Sequence, residues 1–199
     1  MKKIGFITMM LLLCVGVQAE SAKSILDKAA ATVSNPNGVQ ANFQMISKQY
    51  GSTYGSISIK GRKFHASTPE AIVWFDGKTQ WTYMKNNDEV NVSNPTEAEL
   101  QAINPYNFIN IYKQGFKLSS KKVNNSYEVH LKATDKKRKI QEMYIIVDQQ
   151  SYRPTHVKMY QNGKWTVLLI SSLKSTSLND GLFQFNAKDF PQAEIIDLR

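Results

Sequence analysis

Two dipeptides, Asp76-Gly77 and Asn162-Gly163, constrain the fold of this chain most, because each sits between two strand-like runs. A two-residue loop of this kind takes positive φ and turns one strand directly back beside the next. Ala71 to Phe75 runs into the first and Lys78 to Met84 returns, while Thr155 to Gln161 and Lys164 to Leu173 flank the second. The same rhythm extends along the chain. Val39, Ala41, Phe43 and Met45 alternate with Gln40, Asn42 and Gln44, and Ile57 and Ile59 alternate with Ser56, Ser58 and Lys60. This is the period of a half-buried antiparallel strand. Glu89 to Ser93 follows a turn at Lys85-Asn86-Asn87-Asp88, and Phe116 to Val123 joins Ser126 to Ala133 at Asn124-Asn125. Ile140 to Asp148 follows, and the tail (Phe183-Gln184-Phe185, then Ala193 to Ile196) adds a last strand. About eleven strands joined mostly by short turns predict a meandering antiparallel sheet, and a sheet that long must curl. The predicted class is mainly β with a few helices.

The helices fall in two places. Ser21 caps a segment whose apolar residues, Ala22, Ile25, Leu26, Ala29, Ala30 and Val33, form one stripe, with Lys23, Asp27 and Lys28 opposite. Asn35-Pro36-Asn37-Gly38 stops it. In mid-chain, Asn94-Pro95-Thr96-Glu97 and Asn104-Pro105 each place a cap before a proline. Two short helices fit there, the second carrying Phe108, Ile109, Ile111 and Tyr112. One helix before the sheet and two in its middle are placed to cover its concave face.

The first nineteen residues read as an export signal: a basic head, Met1-Lys2-Lys3, an apolar run from Ile4 to Val17, and small residues ending at Ala19. About 14 apolar residues are too few to span a bilayer, which needs roughly 20. Cleavage near Ala19 leaves one domain, residues 20–199, in the periplasm. The single cysteine, Cys14, lies inside the signal behind Leu12-Leu13, a context that disfavours lipidation, so the mature chain has no disulfide and no thiolate. Losing Lys2 and Lys3 lowers the net charge from +9 to +7. The run Lys136-Lys137-Arg138-Lys139 resembles a nucleic-acid patch, but an exported protein meets no nucleic acid. It reads as a solvated hairpin turn or a weak attraction to anionic headgroups or an acidic partner.

Catalytic patterns are missing. His65, His130 and His156 are far apart in the chain and fit no metal spacing. Gly51-Ser52-Thr53-Tyr54-Gly55 lacks the serine of a nucleophile elbow. The carboxylates are few and lie mostly in turns. Neither an enzyme nor a cofactor is expected. The apolar residues are more informative. Trp74, Phe75, Trp81, Tyr83 and Trp165 cluster on predicted strands around hairpins, where they serve as core, as walls of a cavity, or as platforms for sugars.

Phe75-Asp76-Gly77-Lys78-Thr79-Gln80-Trp81-Thr82-Tyr83 resembles the D-G-K-T-x-W-x-Y hairpin of the LolA family of periplasmic outer-membrane lipoprotein carriers. Ala41-Asn42-Phe43-Gln44, Asn104-Pro105 and Leu182-Phe183-Gln184-Phe185 before Pro191 resemble further family features in the same order. The resemblance implies a curled, incompletely closed antiparallel β-barrel with a helical lid, whose apolar cavity holds the acyl chains of lipoproteins between inner and outer membrane. Its implied partners are acylated lipoproteins, an inner-membrane lipoprotein-releasing complex and an outer-membrane receptor or acceptor, met by a monomer. The expected cavity residues are Phe43 and Met45, Ile57 and Ile59, Phe64, Trp74, Trp81 and Tyr83, then Met143, Ile145 and Trp165. The expected lid comprises Ile25, Leu26 and Ala29 of the first helix and Phe108, Ile109, Ile111 and Tyr112 of the mid-chain one. The family's Arg-Pro lid latch matches Lys60-Gly61-Arg62-Lys63-Phe64 only at Arg62, with the proline missing. Rival readings are a carrier or sensor of another lipid, a LolB-like receptor and a glycan-binding β-sandwich.

Overall fold

A computed structural model describes residues 20–48, 51–96, 100 and 110–199. The export signal and Phe108 and Ile109 lie outside the described residues, as does most of the region assigned to the two mid-chain helices.

Helix α1 spans Ala22–Val33. Ser21 caps it, its hydroxyl accepting the Ser24 N–H at 3.1 Å, which satisfies one of the otherwise orphaned first-turn donors. Ala22, Ile25, Leu26, Ala29 and Val33 are buried as one face. Lys23 and Asp27 pair at 2.7 Å on the exposed side.

Among the described residues, twelve strands form one sheet. The first meander is β1 (Val39–Ser47), β2 (Gly51–Lys60), β3 (Lys63–Ser67), β4 (Ala71–Phe75), β5 (Gln80–Met84) and β6 (Glu89–Ser93). The second is β7 (Phe116–Val123), β8 (Ser126–Ala133), β9 (Ile140–Asp148), β10 (Pro154–Gln161) and β11 (Lys164–Ser175). The last strand is β12 (Glu194–Asp197). β1 pairs antiparallel with β11 and joins the two halves, giving the order β12-β6-β5-β4-β3-β2-β1-β11-β10-β9-β8-β7. The terminal strands do not meet, so the barrel stays open. β12 runs parallel to β6, the one departure from the antiparallel pattern among these pairings. One outer edge is thereby covered. The other edge, β7, carries Lys117, Lys121 and Lys122, charges that discourage strand addition by another chain.

The turns follow local chemistry. Asn162 and Gly163 both take positive φ, 51° and 74°, and close the two-residue loop between Gln161 and Lys164. The loop at Asp76-Gly77 is longer than expected, because Phe75 pairs with Gln80. Asp76 Oδ1 accepts the N–H groups of Lys78 and Thr79 at 2.9 and 2.8 Å and so replaces strand pairing there. The basic run Lys136–Lys139 forms the turn between β8 and β9, with Arg138 stacked 4.7 Å from the centre of the Phe116 ring.

The inner face carries two apolar clusters. In the first, α1 packs on Tyr127, Val129, Leu131, Met143, Ile145, Val147, Val157 and Leu168. In the second, Val39, Ala41, Ile57, Ile59, Phe64 and Phe75 pack with Leu100. Burying each such side chain is worth about 1.5–3 kcal/mol, so this face supplies most of the driving force for folding. Phe43 and Ile170 border both clusters and are only half-buried.

Candidate functional site

The inner face between the two clusters is the candidate site. Register assigns its residues, because directly paired residues of neighbouring strands share a face and successive residues alternate. Met45 pairs with Leu168, Val157 with both Leu168 and Ile145, and Val129 with Ile145. A second row runs from Leu131 through Met143 to Met159. On the other half, Ile57 pairs with Ala41 and Ala66, and Phe64 with Ile59 and Phe75. Thus Phe43, Met45, Ile57, Ile59, Phe64, Met143 and Ile145 all face inward.

Phe43 depends on a glycine. A Cβ on Gly55, its partner across β2, would lie 2.9 Å from Phe43 Cζ and 2.1 Å from the Ser67 carbonyl oxygen. Only a residue without a side chain lets the ring lie across β2.

Trp74, Trp81, Tyr83 and Trp165 are a correction. Phe75 faces inward, so Trp74, one residue earlier, faces out. Trp74 pairs with Trp81, and Tyr83 lies two residues further on the same outer side. The C-terminal tail covers them: Phe185 and Phe190 each approach Trp74 at 5.5 Å between ring centres, and Phe190 approaches Tyr83 at 4.7 Å. Lys60 and Lys63 hold the tail at Asp180, at 2.9 and 3.1 Å. Trp165 also faces out, beside Tyr144 and Tyr160 with Lys158 over its ring. The aromatic hairpin run therefore docks the tail, and these residues do not line the inner face. Val129, Leu131, Leu168 and Ile170, absent from the sequence-based expectations, do line it. Alternation along β8 marks Val129 and Leu131, whereas Val167-Leu168-Leu169-Ile170 on β11 is apolar throughout and carries no such signal.

Ile25, Leu26 and Ala29 of α1 lie in the first cluster with Tyr112, which is only 3% exposed, and Ile111 packs at its margin. The Tyr112 hydroxyl donates to Asp27 Oδ1. Burial first, then this bond, pushes the Tyr112 phenol above its ordinary range. The Lys23 ammonium, followed by Tyr112, holds the Asp27 carboxyl below its own. The start of α1 is tied separately. Glu20 accepts from Lys28 at 2.7 Å and from the Tyr152 hydroxyl at 2.8 Å, and chiefly the lysine lowers its carboxyl to about 2. Arg62 lies in the exposed turn between β2 and β3.

The three histidines stay apart. His65 stands against Trp74, His130 bonds Glu142 at 2.8 Å and stacks on Tyr144, and His156 contacts Thr155. Among the described residues, no group of three or more His, Cys, Asp or Glu side chains could hold a metal ion. What this face presents is area: an apolar surface many residues wide beneath a helix.

The family model for the outer membrane lipoprotein carrier protein LolA matches residues 12–164. The chain belongs to the LolA family. Comparison with curated proteins gives no match. Among solved structures, an uncharacterized conserved protein from Thermus thermophilus is 14% identical, with 89% of this chain and 99% of that one covered and a TM-score of 0.61. A LolA superfamily protein from Nitrosomonas europaea is 15% identical over 84% and 99% of the two chains, with a TM-score of 0.44. The lipoprotein LppX from Mycobacterium tuberculosis is 9% identical over 79% and 97%, with a TM-score of 0.45. The open sheet with a helix on one face is thus the LolA-like fold. Most of β11 and the whole tail lie beyond the segment matched to LolA.

Proposed function

We propose that this LolA-family protein is a periplasmic carrier that binds the acyl chains of lipoproteins on its inner face and delivers them from the inner to the outer membrane. The observation that carries this reading is a half-buried apolar strip: Phe43 and Ile170 where the two buried clusters meet, and Met45 and Met159 at the margin of the first. That surface is not used up by the protein's own core, and fatty tails match its chemistry. The donor would be an inner-membrane lipoprotein-releasing complex and the acceptor an outer-membrane receptor. No covalent step is required, and no enzymatic activity is proposed.

Magnitudes dictate how such a carrier must work. Acyl burial is worth about 0.8 kcal/mol per methylene, so one sixteen-carbon chain contributes roughly 12 kcal/mol. Several chains would exceed the practical ceiling of about 20 kcal/mol for non-covalent binding, and cargo so held would never leave. Part of that energy must go into displacing residues that cover the face when it is empty. Ile111 and Tyr112 are suited to this role, together with Phe108 and Ile109. Each contact broken on loading is regained on release, which brings net affinity into a transferable range. Arg62 is the position that the resemblance assigns to a latch.

The test is binding of Nile red, an uncharged apolar dye, followed by addition of a purified triacylated lipoprotein. Micromolar binding and displacement by lipoprotein are expected. No dye binding at that concentration would end the reading.

A further inference from the structure

The hairpin Asp76-Gly77-Lys78-Thr79-Gln80 leaves one group that the fold does not explain. Asp76 fixes the turn, and Thr79 is buried with its hydroxyl donating to Asn94 Oδ1 at 3.0 Å. Gln80 follows and is 9% exposed. Its Nε2 donates to Thr82 Oγ1 at 3.2 Å, whereas Oε1 is enclosed with no hydrogen-bond partner among the described residues. A buried amide carbonyl without a donor is costly and uncommon in folded proteins.

Register shows where this oxygen lies. Gln80 pairs with Phe75 on β4 and Ser93 on β6, and Thr82 pairs with Val73 and Asn91. Phe75 and Val73 belong to the second apolar cluster. The inner face therefore changes character between β4 and β5, from Phe75 and Val73 to Gln80, Thr82, Asn91 and Ser93. An amphiphile whose tail lies on the apolar side brings its first polar atoms to that boundary.

We propose that Gln80 Oε1 is a subsite for the head of an acylated ligand, accepting a hydrogen bond from an amide N–H next to the acyl chain. This rests on the acyl-binding reading above and adds the polar chemistry that the face selects. The bond to Thr82 holds the Gln80 amide so that its carbonyl is oriented before the ligand arrives. An ester in the same place has no hydrogen to give and sets a second oxygen against the carbonyl.

The test is displacement of bound Nile red by two ligands differing in one linking group, N-palmitoylglycine methyl ester and methyl O-palmitoylglycolate. It is run on the wild type, Gln80→Leu and Gln80→Met. The wild type is expected to prefer the amide by about five- to tenfold. Both variants should lose that preference. Equal affinity of the wild type for the two ligands overturns the proposal even if neither variant folds, as does a preference that survives in the variants. Failure of the wild type to bind Nile red would instead remove the acyl-binding reading, and the subsite with it.

Discussion

Tyr112 and Asp27 are 85 residues apart in sequence, yet the phenol of one donates to the carboxylate of the other across the top of the first core cluster. Asp27 sits on α1, and Tyr112 lies in a short 3₁₀ turn, Ile111–Lys113, just before β7. The bond ties the segment leaving the mid-chain region to the helix that covers the sheet.

Tyr112→Phe keeps the ring in its buried place and removes only that bond. A bond to a half-exposed carboxylate is worth about 1 kcal/mol, so urea unfolding should show a loss of that size. If closure of this segment opposes loading, the variant should also bind Nile red a few-fold more tightly. Weaker or unchanged dye binding would show that Tyr112 does not gate the face.

Acid should loosen the start of α1. The Glu20 carboxyl titrates at about 2 in the folded protein, against 4.5 for an unperturbed glutamate. Its stabilising contribution is therefore complete above about pH 4.5 and is lost as pH falls toward 2. Glu20→Gln should flatten that part of a plot of Tm against pH and leave the profile above about pH 6 parallel to the wild type. An unchanged slope between pH 4.5 and 2 would show that the Lys28 and Tyr152 contacts do not persist in solution.

The two sheet faces should separate in mutagenesis. Trp74→Ala removes a buried ring from the tail interface and should cost about 3–5 kcal/mol, with faster proteolysis near residues 176–193. Dye affinity of the folded fraction should not change. Phe43→Ala, on the opposite face, should cost less stability and weaken dye binding. Weakened binding in Trp74→Ala with none in Phe43→Ala would reverse this assignment.

Gly55→Ala should be disproportionately damaging for one added methyl. Its Cβ meets the Ser67 carbonyl oxygen in the β2–β3 pairing as well as the Phe43 ring. Overpacking of this kind typically costs about 1–3 kcal/mol. Chemical denaturation would measure it, and a neutral result would mean that β3 shifts freely.

Local rules in the sequence are strong where pairing is local. The bounds of β7, β8 and β9 coincide with the alternating runs Phe116–Val123, Ser126–Ala133 and Ile140–Asp148, and the α1 stripe follows its 3.6-residue period. β3 carries little signal in the sequence, because its five residues, Lys63–Ser67, have only Phe64 and Ala66 inward and sit beside a basic turn. Alternation reveals that a strand has two faces but cannot say which one meets the core. Trp74 and Phe75 are both buried, on opposite sides, because a tail more than 100 residues away covers the outer one. The same long-range packing places Phe183 in a 3₁₀ turn, Asp180–Phe183, where a strand was expected. It also makes β12 a parallel partner of β6.

The lysine-studded margin at β7 has a consequence for life at high concentration. An edge strand eight residues long would invite neighbouring copies to zip together. Placing like charges along that ribbon makes two copies repel each other there, which opposes strand-to-strand association as the solution grows crowded.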